Sequence, residues 1–157
     1  MKRLFALLAA LLLLCGCGAT PQQKDDSPVN VDISALYTKL EGLGLPAMVE
    51  VGADMQLSLY GIEGADVVKA KVAISDDGLR ADEVWLVEAV NAEAAARVEG
   101  LVKNRIQQKD DESVTYSPEQ NAVVKAAQII EAGNYLVMIV SPDAAAIAGA
   151  FRTAAGI

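Results

Sequence analysis

Val68-Lys69-Ala70-Lys71-Val72-Ala73-Ile74, then Asp77-Gly78, then Ala81-Asp82-Glu83-Val84-Trp85-Leu86-Val87, is the stretch from which the fold is read. Its first run alternates with period two, placing Val68, Ala70, Val72 and Ile74 on one face and Lys69 and Lys71 on the other, as in a half-buried strand. Asp77-Gly78 is a favoured hairpin dipeptide, because both central residues of a type I′ turn need positive φ. A return strand is therefore expected from Ala81 to Val90. Within it Val84 and Leu86 face one side of the sheet and Trp85 and Val87 the other.

C-terminal to the hairpin, Asn91 caps an expected long helix from Ala92 to Lys109, with Ala94, Val98, Leu101, Val102 and Ile106 in one stripe. Asp110-Asp111-Glu112 would follow in a loop, since acids are unfavourable at the negative end of a helix. Ser117-Pro118-Glu119-Gln120 has the form of a capping box with proline at the first helical position, opening a helix to about Ala126. Gln128-Ile129-Ile130-Glu131 reads as a strand, Gly133-Asn134 as a two-residue turn, and Tyr135 to Val140 as a central strand apolar on both faces. Ser141-Pro142-Asp143 repeats the capping pattern before an Ala-rich helix through Ile147 and Phe151.

N-terminal to the hairpin, Asp32 is placed to cap a short amphipathic helix carrying Ile33, Leu36, Tyr37 and Leu40, ended by Gly42 and Gly44. Met48 to Val51 is an apolar patch whose periodicity does not decide its state. Met55 to Tyr60 fits a helical turn before Gly61 or a strand, and the turn is the preferred reading. The expected architecture is an α+β domain, residues 32–157, on a four-stranded, mainly antiparallel sheet with element order α-β-β-α-α-β-β-α. The long and C-terminal helices are expected to cover one face, leaving the 33–40 helix and the 45–59 segment for the other.

The first seventeen residues follow a different logic. Lys2 and Arg3 precede an apolar run from Leu4 to Leu14, closed by Leu14-Cys15-Gly16-Cys17. This is the layout of a secretory signal, and its end resembles a bacterial lipobox, in which the cysteine is lipidated and becomes the mature N-terminus. The run is short of the roughly twenty residues a membrane span needs. Residues 1–16 are thus expected to be a signal peptide, Cys17 the lipidation site, and 17–31 a flexible spacer. The expected location is the outer face of the cytoplasmic membrane, held there by the lipid.

Composition removes several function classes. The chain carries 13 basic and 21 acidic side chains, net −8, and the loss of Lys2 and Arg3 with the leader takes this to about −10. Such a body is repelled by phosphate backbones, so nucleic acid is not an expected partner. With Cys15 in the leader and Cys17 lipidated, no disulfide is available to the domain. The absence of histidine excludes His-dependent triads and the common zinc sites. No catalytic residues and no cofactor are expected.

Ser117-Pro118-Glu119-Gln120, Val124, Ile129, Gly133-Asn134-Tyr135 and Ser141-Pro142-Asp143 resemble a family of small Gram-positive bacterial lipoproteins catalogued as domain of unknown function 4358. Leu59-Tyr60-Gly61-Ile62 and Ala81-Asp82-Glu83-Val84 are similar to the same family, so the resemblance runs from about Ile33 to Phe151. Asn121 stands where members often carry an aromatic residue. The resemblance implies a lipid-anchored extracytoplasmic domain and brings no activity, ligand or catalytic residue with it.

Two local constellations are candidates for function. Asp76, Asp77, Asp82 and Glu83 surround the hairpin turn, and calcium takes about six to eight oxygens. Their spacing matches no known calcium loop, so a solvated turn is the preferred reading. Trp85 and Val87 lie on the sheet face with the shorter expected cover, which makes them candidates for a partner surface or homodimer contact; the alternative is that the N-terminal segment completes the core. The expected role is a non-enzymatic protein-binding or adaptor domain in the envelope, with a small ligand- or peptide-binding lipoprotein as the alternative. An adaptor should show an apolar surface without a cavity, and a receptor a concavity with convergent polar groups.

Overall fold

The structure, a computed structural model, describes residues 29–157. The expected signal peptide and the Cys17 lipidation site lie outside the described residues.

The chain forms α1 (Ile33–Glu41), β1 (Met48–Glu50), α2 (Ala53–Met55), β2 (Val67–Ser75), β3 (Glu83–Ala89), α3 (Ala92–Tyr116), α4 (Pro118–Lys125), β4 (Gln128–Ala132), β5 (Tyr135–Val140) and α5 (Ala144–Ala155). A π-helical segment with more residues per turn, Gln56–Tyr60, continues α2 and stops at Gly61, whose φ of 74° suits glycine. The expected α+β architecture stands, but the sheet has five strands, all paired antiparallel, in the order β1-β2-β3-β5-β4. The added strand is the undecided patch at Met48, which pairs with the far end of β2 through Met48 opposite Ser75 and Val49 opposite Ile74. Three residues carry too little periodicity to declare a strand.

One sheet face is covered by α1 and α5, through Ile33, Leu36, Leu40, Ile147 and Phe151 packed on Val84, Leu86, Val137 and Ile139. The opposite face is covered by α3, α4 and the 51–62 segment, with Val98, Val102, Val124 and Ile62 around Trp85, Val87 and Met138. The C-terminal helix therefore shares a face with α1, not with the long helix. Gly44 helps this closure: at φ 89° its bare Cα lies under the Asp143 side chain, where a Cβ would collide.

Several local expectations need correction. The hairpin connection is not a type I′ turn. Gly78 is absent from the glycines with positive φ, and residues 76–82 are instead tied by Leu79 N donating to Asp77 Oδ1 at 2.9 Å and Arg80 N to Asp77 O at 3.0 Å. The register of β2 shifts between Val67 and Lys69, so Val67 packs with the core and Val68 is 63% exposed. The last residues of the expected spacer belong to the domain: Val31 is buried, its N–H donates to the Tyr135 hydroxyl at 3.2 Å, and Val29 packs beside it.

The long helix α3 continues past Lys109 to Tyr116 and carries Asp110, Asp111 and Glu112 within it. Local amides support those acids. Gln107 and Gln108 each donate, at 2.8 Å, to the acid four residues on, and Asn121 of α4 donates to Asp110 Oδ1 at 2.5 Å.

Candidate functional site

Glu83 and Trp85 are two residues apart on β3, so both side chains point to the face under α3. Arg105 and Lys109 are four apart on α3 and therefore share the helix face that meets them. The four side chains converge. Arg105 Nη2 and Lys109 Nζ each donate to Glu83 Oε2 at 2.8 Å, Arg105 Nε reaches both carboxylate oxygens at 3.0 and 3.1 Å, and Trp85 Nε1 donates to Oε1 at 2.7 Å. Glu83 is fully buried.

Tyr60, at the end of the π-helical segment, closes this cluster from the side. Its ring centroid lies 4.9 Å from that of Trp85, and the Arg105 guanidinium stands 5.0 Å from it on the cation-binding face. Burial pushes the Glu83 carboxyl up, but the hydrogen bonds from Arg105 and the charges of Lys109 and Arg105 outweigh it and hold the group below its ordinary value. Burial and then the Glu83 charge push the Tyr60 phenol up.

Above the cluster, the 76–82 connection, α3 and α4 enclose a solvent-open cleft of about 220 Å³. Arg80, Asp82, Arg105, Lys109, Ser113 and Gln120 converge on it. Gln120 does not close the expected capping box. Ser117 Oγ accepts from Gln120 N at 3.4 Å, as a cap should, but Gln120 Oε1 accepts from Ala81 N at 2.8 Å and so ties α4 to the hairpin. Asp82 is 2% exposed; its Oδ2 accepts from Arg80 Nε at 3.0 Å, while its buried Oδ1 has no hydrogen-bond partner.

The family profile of the domain of unknown function DUF4358 matches residues 42–141, which include all five strands together with α3 and α4. The chain belongs to the DUF4358 family. Every residue of the Glu83 cluster and of the cleft falls inside the DUF4358 match, whereas α1 and α5, which cover the opposite sheet face, fall outside it. No curated protein and no solved structure matches the chain.

The two candidate constellations are placed differently from expectation. Asp82 and Glu83 are consecutive but serve separate ion pairs, with Arg80 and with Arg105 and Lys109. Asp76 and Asp77 stay in the exposed connection, and among the described residues no group of three or more acidic, Cys or His side chains is arranged to hold a metal. Trp85 and Val87 are 0% and 1% exposed, so neither is offered to a partner. The physical reason is that the segment through Tyr60 and Ile62 joins α3 and α4 in completing that face. Sequence reading missed Arg105 and Lys109, which look like ordinary charges on a polar helix face. The available signal was a carboxylate in phase with Trp85 and Val87 on a mostly apolar strand, which demands a cation beside it.

Proposed function

We propose that this DUF4358 protein is a lipid-anchored, extracytoplasmic, non-enzymatic binding domain that takes a small ligand or peptide segment in the cleft between the 76–82 connection and the α3–α4 pair. The anchoring rests on Lys2-Arg3, the apolar run from Leu4 to Leu14, and Leu14-Cys15-Gly16-Cys17. The observation that carries the binding role is the concavity itself, where charged and amide groups from three elements converge. Its hydroxyls are occupied with backbone rather than poised as nucleophiles: Ser113 Oγ donates to Lys109 O at 2.7 Å, and Ser75 Oγ accepts from Asp77 N at 3.1 Å.

A protein-binding adaptor is the second reading. It is favoured by a trough of about 290 Å³ beside the edge strand β4, lined by Ile106, Val124, Ala127 and Ile129 together with Gln107, Asp110 and Lys125. An extended partner segment could add a strand there. Hydrogen exchange on the membrane-extracted protein, with and without a soluble envelope extract, separates the two. Protection of 76–82 and of the facing turns of α3 and α4 is expected; protection confined to β4 would favour the adaptor, and protection of neither would contradict both.

A further inference from the structure

The start of the described chain and the cleft lie at opposite ends of the sheet. A Cβ on Gly133 would lie 3.7 Å from that of Val29, so the chain enters the domain at the turn between β4 and β5. Ala89 N donates to Asn134 O at 2.9 Å and Val90 N to Asp66 O at 3.0 Å, which places the end of β3 and the approach to β2 at that same end. The 76–82 connection and the cleft lie at the other, beyond Ser75 and Glu83. Strand β3 runs between the two ends, a length of about 20 Å at the usual strand rise.

The end around Gly133 carries apolar side chains that the fold leaves uncovered. Val68 is the residue displaced by the register shift of β2, and it is 63% exposed while Val67 packs with the core. Val90, between β3 and the Asn91 cap, is 43% exposed, and Ile157 is 58% exposed. Ile157 belongs to the same end because α5 starts beyond the far end of β5 and its 12 residues carry the chain back by about 18 Å. Single exposed apolar residues are ordinary on a protein surface, but these gather where the chain leads off toward Cys17. From Cys17 to Val29 the chain reaches at most about 40 Å. Attachment at that distance gives this end a high effective concentration at the lipid, so a contact too weak to recruit a free protein is enough.

Charge does not supply the attraction. Asp66 is paired with Arg97, Asp32 lies 4.0 Å from Lys69, and Glu63, Glu88, Glu93 and Glu131 outnumber Arg152. An acidic surface of this kind tolerates zwitterionic headgroups and is repelled by anionic ones.

We propose that the end of the domain around Gly133 and Asn134 rests on a lipid surface, with Val68, Val90 and Ile157 in its interfacial layer, and that the cleft mouth is thereby held facing away from the membrane. The inference rests on the lipid anchor at Cys17. It assigns the cleft a ligand that arrives from the aqueous side, not a lipid or a membrane-embedded segment.

The test is methyl NMR of the lipidated full-length protein in phosphatidylcholine nanodiscs that contain a gadolinium-chelate lipid. Relaxation enhancement falls with the sixth power of distance, so at Val68, Val90 and Ile157 it should be at least about tenfold that at Leu79 of the 76–82 connection, a strand length further from the bilayer. Val68→Ser combined with Val90→Ser, both at exposed positions, should abolish the contrast between Ile157 and Leu79 while leaving the core methyls of Leu86 and Ile139 unshifted. An even enhancement over the whole domain would mean free tumbling on the tether and overturn the proposal. The strongest enhancement at Met55, Leu57 and Leu59, the exposed apolar group on the flank, would overturn it as well. A contrast that grows when phosphatidylglycerol replaces phosphatidylcholine would assign the contact to Lys69 and Arg152, again against the proposal. Protein that does not stay with the nanodiscs would overturn the anchor reading itself, and the orientation with it.

Discussion

The Trp85 indole N–H donates to the Glu83 carboxylate at 2.7 Å from two residues further along the same strand, so the largest apolar side chain of the sheet and its one fully buried acid form a single unit. Arg105 and Lys109 reach that unit from α3 and Tyr60 packs against it, which fixes the long helix, the π-helical segment and β3 relative to one another. The cleft inherits its shape from this arrangement, because the same two cations form its floor.

Glu83→Gln should destabilise the domain by about 3 to 5 kcal/mol, since it leaves Arg105 and Lys109 buried without a counter-charge. Replacing the set together, as Glu83→Met with Arg105→Leu and Lys109→Met, should cost far less or even stabilise. Urea unfolding of both variants checks this. A triple variant weaker than Glu83→Gln would show that the ion cluster itself, and not the relief of unpaired charge, dominates.

Stability should fall in acid with a component traceable to Glu83. Its folded-state value lies below the ordinary 4.5, so its contribution is complete above about pH 4.5 and is lost as pH drops through the lower folded value. The melting temperature of the wild type should therefore decline more steeply below pH 4.5 than that of Glu83→Gln. Parallel profiles would mean that the Glu83 carboxyl titrates alike in the folded and unfolded chain, and a shallower wild-type decline that it is held neutral in the fold.

Gln120→Ala should cost about 1 kcal/mol, and its effect should appear at a distance in sequence. The lost partner is the Ala81 N–H, not the start of α4. Hydrogen exchange should accelerate at Ala81 while the α4 amides stay protected. Acceleration confined to 118–121 would restore the capping-box account.

How much of this was legible in the sequence depended on whether each signal was local. Asp32 caps α1 as expected, its Oδ1 accepting from Ser34 N and Ala35 N, and Asn91 caps α3 through Ala94 N. Gly133-Asn134 makes the expected tight turn, with positive φ at Gly133 alone, as a type II′ hairpin requires. The misses were nonlocal. Three residues at Met48 become a strand only because β2 offers an edge, and Asp110 to Glu112 remain helical because Gln107, Gln108 and Asn121 serve their carboxylates. The cleft was harder still to foresee, since Asp82, Lys109 and Gln120 are brought together by packing across three elements. No spacing between them in the chain announces it.

The account as a whole depends on where the domain is held, and intact-mass analysis of the protein recovered from the membrane fraction tests that most directly. It predicts a chain of residues 17–157 with a diacylglyceryl group on Cys17. A mass that retains residues 1–16, or an unmodified Cys17 in the wild-type protein, would contradict it.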